Sequence, residues 1–121
     1  MATHKLENYL RTYRKRSGLT QREVAFLVGC RNGAQVSRYE KSRRLPPLRT
    51  ALACEAAFGV PVSVLFAGLR DAAGQAVGER LGALRSKLET GPAQGRDARL
   101  TAQKLRWLAE RRPLPPGNTK P

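Results

Sequence analysis

The side chains here that are suited to chemistry are hydrogen-bond donors, acceptors and cations rather than nucleophiles or acids. They gather in the stretch CRNGAQVSRYEKSRR, residues 30–44, which holds Asn32, Gln35, Ser37, Arg38, Lys41, Arg43 and Arg44. Val36 and Tyr39 are three apart, so on a helix they share one face and leave Ala34, Gln35, Ser37, Arg38 and Lys41 toward solvent or a ligand. Those outward types match the base edges of a DNA major groove. Arginine pairs bidentately with guanine O6 and N7, glutamine does the same with adenine N6 and N7, and asparagine or serine serves bases or phosphates. The pattern therefore predicts base contacts from Asn32, Ala34, Gln35 and Arg38. It predicts phosphate contacts from Thr20, Arg22, Arg31, Ser37, Lys41, Arg43 and Arg44. Gly33 and Ala34 are small, which suits close approach of a helix N-terminus to the base edges, and that terminus offers backbone N–H groups to phosphate oxygens.

Such a face needs elements to hold it, and the preceding residues supply them. Thr20 and Glu23 form a T-x-x-E capping box, which starts one helix. Val24, Ala25 and Val28 share a face of it, and Gly29 stands where a left-handed residue ends it. After the turn, Asn32 is placed to cap a second helix of about Gly33 to Lys41, with Gln35 in the reciprocal position. Two short helices joined by a glycine-bearing turn, the second polar and basic, make a reading device for DNA. Upstream, Leu6, Tyr9, Leu10 and Tyr13 recur at i, i+3, i+4 and i+7, which predicts a scaffold helix over residues 5–16 with Arg11, Arg14, Lys15 and Arg16 on its basic side.

The residues Gly18-Leu19-Thr20-Gln21-x-Glu23-Val24-Ala25, then Gly29, then Val36-Ser37-Arg38-Tyr39-Glu40, resemble the xenobiotic-response-element (XRE) family of helix-turn-helix regulators, which includes the lambda-type repressors and Cro. The resemblance covers about the first 66 residues. It implies an all-α fold, with a five-helix lambda-repressor-like helix-turn-helix domain at residues 1–66. It implies that Gln21 holds a phosphate and that Arg14 pairs with Glu40 as a structural ion pair. It also implies a homodimer on two half-sites about 10 base pairs apart or a multiple of that. Between Gly29 and Glu40 the chain runs about one residue longer than the family pattern, which places the extra residue in the turn.

Composition points the same way. The 121 residues suit one small domain with an appendage. A formal net charge of +14 calls for a polyanionic partner, with double-stranded DNA first and an anionic membrane surface second. Residues 1–66 carry 12 basic against 4 acidic residues, and residues 67–121 carry 11 against 5, so the tail is basic too. No run of 18 apolar residues and no signal-peptide pattern occurs, which predicts a cytoplasmic protein without membrane attachment. Cys30 and Cys54 lack C-x-x-C spacing, and His4 is the one histidine, so no metal site, cofactor or catalytic residue is expected. No nucleophile motif, phosphate-cradling loop or carboxylate pair points to an enzyme.

Beyond the basic cluster, Pro46-Pro47 forces an extended segment. A fourth helix is expected from Leu48 to Phe58, with Leu48, Leu52, Cys54 and Phe58 in the core, and a short fifth with Pro61 in its first turn and Val62, Leu65 and Phe66 buried. A helical extension follows over residues 67–112, as a dimerisation or partner-binding segment. Leu69, Ala73, Val77, Leu81, Leu84 and Leu88 form one stripe of a long helix, and Gly74, Gly78 and Gly82 form a second row, suited to close approach of another helix. Residues 91–97 break it. A last helix over residues 98–112 carries Leu100, Leu105, Trp107 and Leu108 among Arg99, Lys104, Arg106, Arg111 and Arg112. Residues 113–121 are proline-rich, which predicts a disordered tail.

The leading expectation is a sequence-specific DNA-binding transcriptional regulator, repressor or activator. A second is an antitoxin-like adaptor that autoregulates its promoter and binds a protein partner through the C-terminal helices. A third is an architectural protein that coats DNA without sequence preference.

Overall fold

The computed structural model describes residues 7–91 and 95–113. Among them the chain is all-helical, with α1 (Leu10–Ser17), α2 (Gln21–Val28), α3 (Gly33–Glu40), α4 (Leu48–Phe58), α5 (Val62–Leu65), α6 (Ala67–Thr90) and α7 (Gly95–Glu110). It divides into two compact units, one up to Ala72 and the other from Ala73 on, so α6 starts in the first and continues in the second.

In the first unit, local chemistry sets the ends of the two central helices. The Thr20 hydroxyl accepts from the Glu23 N–H at 3.0 Å, while the Glu23 carboxylate accepts from the Thr20 N–H at 2.9 Å, closing both halves of the capping box on α2. These bonds to Thr20 hold the Glu23 carboxyl below its ordinary pKa. Gly29 ends α2 at φ +75°, a left-handed conformation that a side chain strains. Asn32 caps α3 by accepting from the Gln35 N–H at 3.1 Å.

The core of this unit joins Leu10 of α1, Val24, Ala25 and Val28 of α2, Val36 and Tyr39 of α3, Ala51 and Cys54 of α4, Leu65 of α5, and Phe66. Leu69, in the first turns of α6, packs on its edge. Glu55 of α4 accepts from the Val62 N–H at 2.8 Å and so caps α5, with Pro61 just ahead of the helix rather than inside it.

Two expectations are corrected here. The scaffold helix begins at Leu10, not Lys5, because the preceding backbone is engaged elsewhere. Tyr9 N–H donates to the Leu65 carbonyl at 2.7 Å, and the Glu7 carbonyl accepts from Gly68 N–H at 2.8 Å. Leu6 and His4 lie outside the described residues. On α4, Leu48 is 73% and Leu52 48% exposed, whereas Ala51 and Cys54 are buried and Phe58 packs against them. Helices α2 and α5 pack on α4, whose buried side is that of Ala51 and Cys54, so size lost to position. Phe26, opposite the core face of α2, is 84% exposed.

The second unit consists of the later turns of α6 with α7. The expected leucine stripe does not behave as one surface: Leu81 and Leu88 are half-buried, while Val77 and Leu84 are exposed. Leu108 of α7 is buried beside Gly78, Leu81 and Gly82, with Arg85 and Arg111 at the rim. The last helix starts at Gly95, earlier than expected, and Trp107 stays exposed with the Arg111 guanidinium 6.0 Å from its ring centre. The expected disordered tail lies, apart from Pro113, outside the described residues.

The glycine row was expected to admit a close neighbour, yet a Cβ on Gly74, Gly78 or Gly82 would meet no atom within 4 Å. Among the described residues nothing occupies the space a side chain would take, so each glycine costs helix propensity without a steric need for it. Replacing any of the three by alanine is expected to stabilise α6 by about 0.8 to 1 kcal/mol, read as a gain in helical circular dichroism and in the denaturant midpoint. A destabilising Gly78→Ala would mean that another backbone occupies that space. Burial pushes the Cys54 thiol up to about 11, with the nearby Cys30 second, so Cys54 stays protonated at neutral pH. In the native protein a thiol reagent should modify Cys30, in the turn, and reach Cys54 only on unfolding, with equal native rates as the contrary result.

Candidate nucleic-acid interface

Helix α3 is held from behind by one carboxylate. Glu40, at its last turn, has a side chain only 2% exposed, and Arg14 of α1 is 12% exposed beside it. Arg14 Nε donates to Glu40 Oε2 and Arg14 Nη2 to Oε1 at 3.2 Å, a bidentate pair, while Nη1 donates to the Leu19 carbonyl at 3.1 Å. Gln21 of α2 adds a third donor, Nε2 to Glu40 Oε1 at 3.0 Å. One buried acid thus joins α1, α2 and α3. No buried side-chain polar atom among the described residues lacks a partner.

Helix α3 meets α2 closely at its start. A Cβ on Gly33 would stand 3.2 Å from the Arg22 backbone nitrogen and 3.4 Å from the Gln21 carbonyl carbon. Gly33 is small because α3 crosses the first turn of α2 there. Approach to a groove was the expected reason, and packing within the domain is the one the geometry supplies.

On the other side of α3, Ala34 and Arg38 are exposed, with Gln35 and Ser37 partly so. Asn32 and Arg31 are exposed in the turn, Thr20 and Arg22 at the start of α2, and Lys41, Arg43 and Arg44 beyond α3. These residues share the neighbourhood of one helix pair, as a reading surface requires. Four of the expected contact residues have duties within the fold, Thr20 as the cap of α2 among them. The Asn32 side-chain oxygen is the α3 cap, and the Gln35 side-chain oxygen accepts from Arg31 N–H at 3.0 Å. Gln35 therefore braces the turn one residue ahead of the expected Asn32 N–H. Gln21, assigned to a phosphate, is half-buried with its amide nitrogen on Glu40.

Beyond Glu40 the chain turns through Ser42 at φ +57°, the one left-handed non-glycine among the described residues. Ser42 N–H donates to the Tyr39 carbonyl at 3.1 Å and Arg43 N–H to the Arg38 carbonyl at 2.9 Å, so α3 ends in a closed C-terminal motif built on serine where glycine is usual. Arg44 lines a shallow notch with Asn8, Tyr39 and Ser42. Sequence reasoning missed Asn8, reading it as the interior of the first helix. The available signal was its type: asparagine two residues before the first buried leucine favours a local cap over helix continuation.

A short helix pair with a glycine turn, a carboxylate lock behind it and a cationic rim is the architecture of a helix-turn-helix reader. Residues 8–67 match the model of a helix-turn-helix domain family. Comparison with curated proteins and with solved structures gave no match. Among the described residues no group of three or more His, Cys, Asp or Glu side chains is arranged to hold a metal ion, and no helix is long and apolar enough to cross a membrane.

Removing one partner of a buried ion pair leaves the other charge in place without compensation. Arg14→Ala is accordingly expected to destabilise the domain by about 3 kcal/mol or more, measured by urea unfolding. A loss below about 1 kcal/mol would place the pair among ordinary surface ion pairs.

Proposed function

We propose that this protein is a sequence-specific transcriptional regulator of the XRE type that inserts α3 into the major groove of double-stranded DNA. The observation that carries the reading is the division of α3 into two faces. Val36, Tyr39 and Glu40 are engaged by the domain, while Ala34 and Arg38 stand exposed with cations on both flanks. In this reading Arg38 and Gln35 discriminate bases, with Asn32 and Ala34 beside them. Thr20, Gln21, Arg22, Arg31, Ser37, Lys41, Arg43 and Arg44 hold phosphates, and the formal net charge of +14 drives association. For Gln21 to take a phosphate, its amide must share its second N–H or leave Glu40. One domain reads only a few base pairs, which favours a homodimer on paired half-sites in the cytoplasm. The division of labour proposed is residues 1–66 for DNA and residues 67–112 for association.

The exposed Trp107 and Leu100 on basic α7 favour a second reading, an adaptor whose C-terminal helices engage a protein partner. A chain truncated after Ala72 would separate the two. Loss of a specific co-purifying protein with DNA binding retained supports the adaptor, and loss of paired-site binding alone supports a dimerising extension.

The direct test is selection of bound duplexes from a random pool at about physiological salt. A symmetric motif with half-sites about one helical turn apart is the expected outcome, and no enrichment would point to architectural binding instead. On the selected site Arg38→Ala should lose about 1 to 3 kcal/mol and relax one base preference, whereas Arg43→Ala should weaken all duplexes alike. Equal losses for Arg38→Ala on selected and random DNA would remove α3 from the groove.

A further inference from the structure

The loop that carries Lys41, Arg43 and Arg44 leaves α3 through a conformation that serine does not favour, and a side chain from the far end of the domain holds it there. Asn8 Nδ2 donates to the Tyr39 carbonyl at 2.9 Å and to Ser42 Oγ at 3.0 Å, bonds that span 31 and 34 residues of sequence. Its other atom, Oδ1, accepts from Leu10 N–H at 3.1 Å and so starts α1. The residue is half-buried, and its own backbone neighbours are tied to the end of α5 and the start of α6 through Tyr9 N–H and the Glu7 carbonyl. Asn8 is thus fixed on the scaffold side and grips the loop side.

A left-handed residue with a Cβ is disfavoured on its own, so the direction taken after Ser42 must be imposed. Two bonds from one amide add to the backbone bonds of Ser42 and Arg43 in imposing it. The Tyr39 carbonyl accepts both from Ser42 N–H and from Asn8 Nδ2, and the Ser42 hydroxyl gives the clamp a second point that glycine would lack. Arg43 and Arg44 follow immediately, so the geometry that Asn8 enforces decides where those cations stand relative to α3.

We propose that Asn8 is a positioning residue for phosphate binding: it locks the left-handed Ser42 and thereby aims the Lys41 to Arg44 loop at the backbone of a duplex read by α3. The inference rests on the DNA-reading function proposed above. It adds a residue that touches no nucleic acid itself but sets how many phosphates the loop neutralises.

Two substitutions isolate the clamp. Asn8→Asp keeps an oxygen to cap Leu10 but removes the N–H donors to Tyr39 and Ser42. Ser42→Gly removes the cost of the left-handed conformation, so the loop holds its path without help. Two measurements apply to the full chain: amide hydrogen exchange of Ser42 and Arg43, and the slope of log affinity against log salt on a random-sequence duplex. For Asn8→Asp, exchange at those two amides should be at least about fivefold faster, with α1 exchange unchanged. Its salt slope should be shallower by about 1 to 2, which corresponds to about one or two fewer phosphates neutralised by the loop. Adding Ser42→Gly should restore the slope, a rescue that a general loss of stability would not permit. An unchanged slope in Asn8→Asp, or a shallower slope that Ser42→Gly fails to restore, overturns the proposal. Absence of duplex binding by the unsubstituted protein, with exchange still faster in Asn8→Asp, would instead overturn the DNA reading and reduce the clamp to a structural contact.

Discussion

The arrangement depends on a single buried carboxylate. Glu40 sits at the end of α3, almost wholly out of water, and takes donors from Arg14 on α1 and Gln21 on α2. Burying a charge is costly unless it is paired and hydrogen-bonded, and here geometry meets that condition only when three helices are in register together. Apolar contacts among Leu10, Val24, Val36 and Leu65 tolerate small slips, because dispersion and area burial are not directional. The bidentate pair does not. The same atoms that satisfy Glu40 fix the rotation of α3, and so which of its residues face outward.

That fixed rotation lets a helix of 8 residues serve two purposes. A helix this short is marginal in water, and its persistence comes from Asn32 at one end, the turn at Ser42 at the other, and Val36 and Tyr39 in the core. Its outward side is then free to carry polar and cationic groups that add nothing to stability. Two of the residues proposed as readers also serve the fold: Asn32 caps and Gln35 braces the turn while each retains an amide nitrogen. The tight crossing at Gly33 has the same logic, since bringing α3 onto the first turn of α2 would press a Cβ there against the Arg22 backbone at 3.2 Å.

The second unit is built differently. Its burial is slight: among the described residues Leu108 is the one large side chain on α7 well removed from water, and a side chain added at Gly74, Gly78 or Gly82 of α6 would meet open space. Propensity is spent there without a steric need for glycine. Helix α7 leaves Leu100 and Trp107 exposed among cations, whereas α3 exposes Ala34 and Arg38.

The sequence by itself determined whatever is closed within a few residues. The Thr20–Glu23 box, the Asn32 cap, the left-handed Gly29 and the inward pair Val36 and Tyr39 were all legible, because each joins groups three or four apart, where helix geometry leaves little choice. The pairing of Arg14 with Glu40 was implied by resemblance, not by local pattern, since 26 residues separate them. Tertiary structure alone decided the rest. It started α1 at Leu10 because Glu7 and Tyr9 bond to α5 and α6, turned Leu48 and Leu52 outward because α4 packs through Ala51 and Cys54, and placed Gln21 on Glu40. It also brought the Asn8 amide onto the left-handed Ser42, 34 residues away. In each case the deciding partner lies far along the chain, and periodicity, which reports only that a face is apolar, does not say what that face will meet.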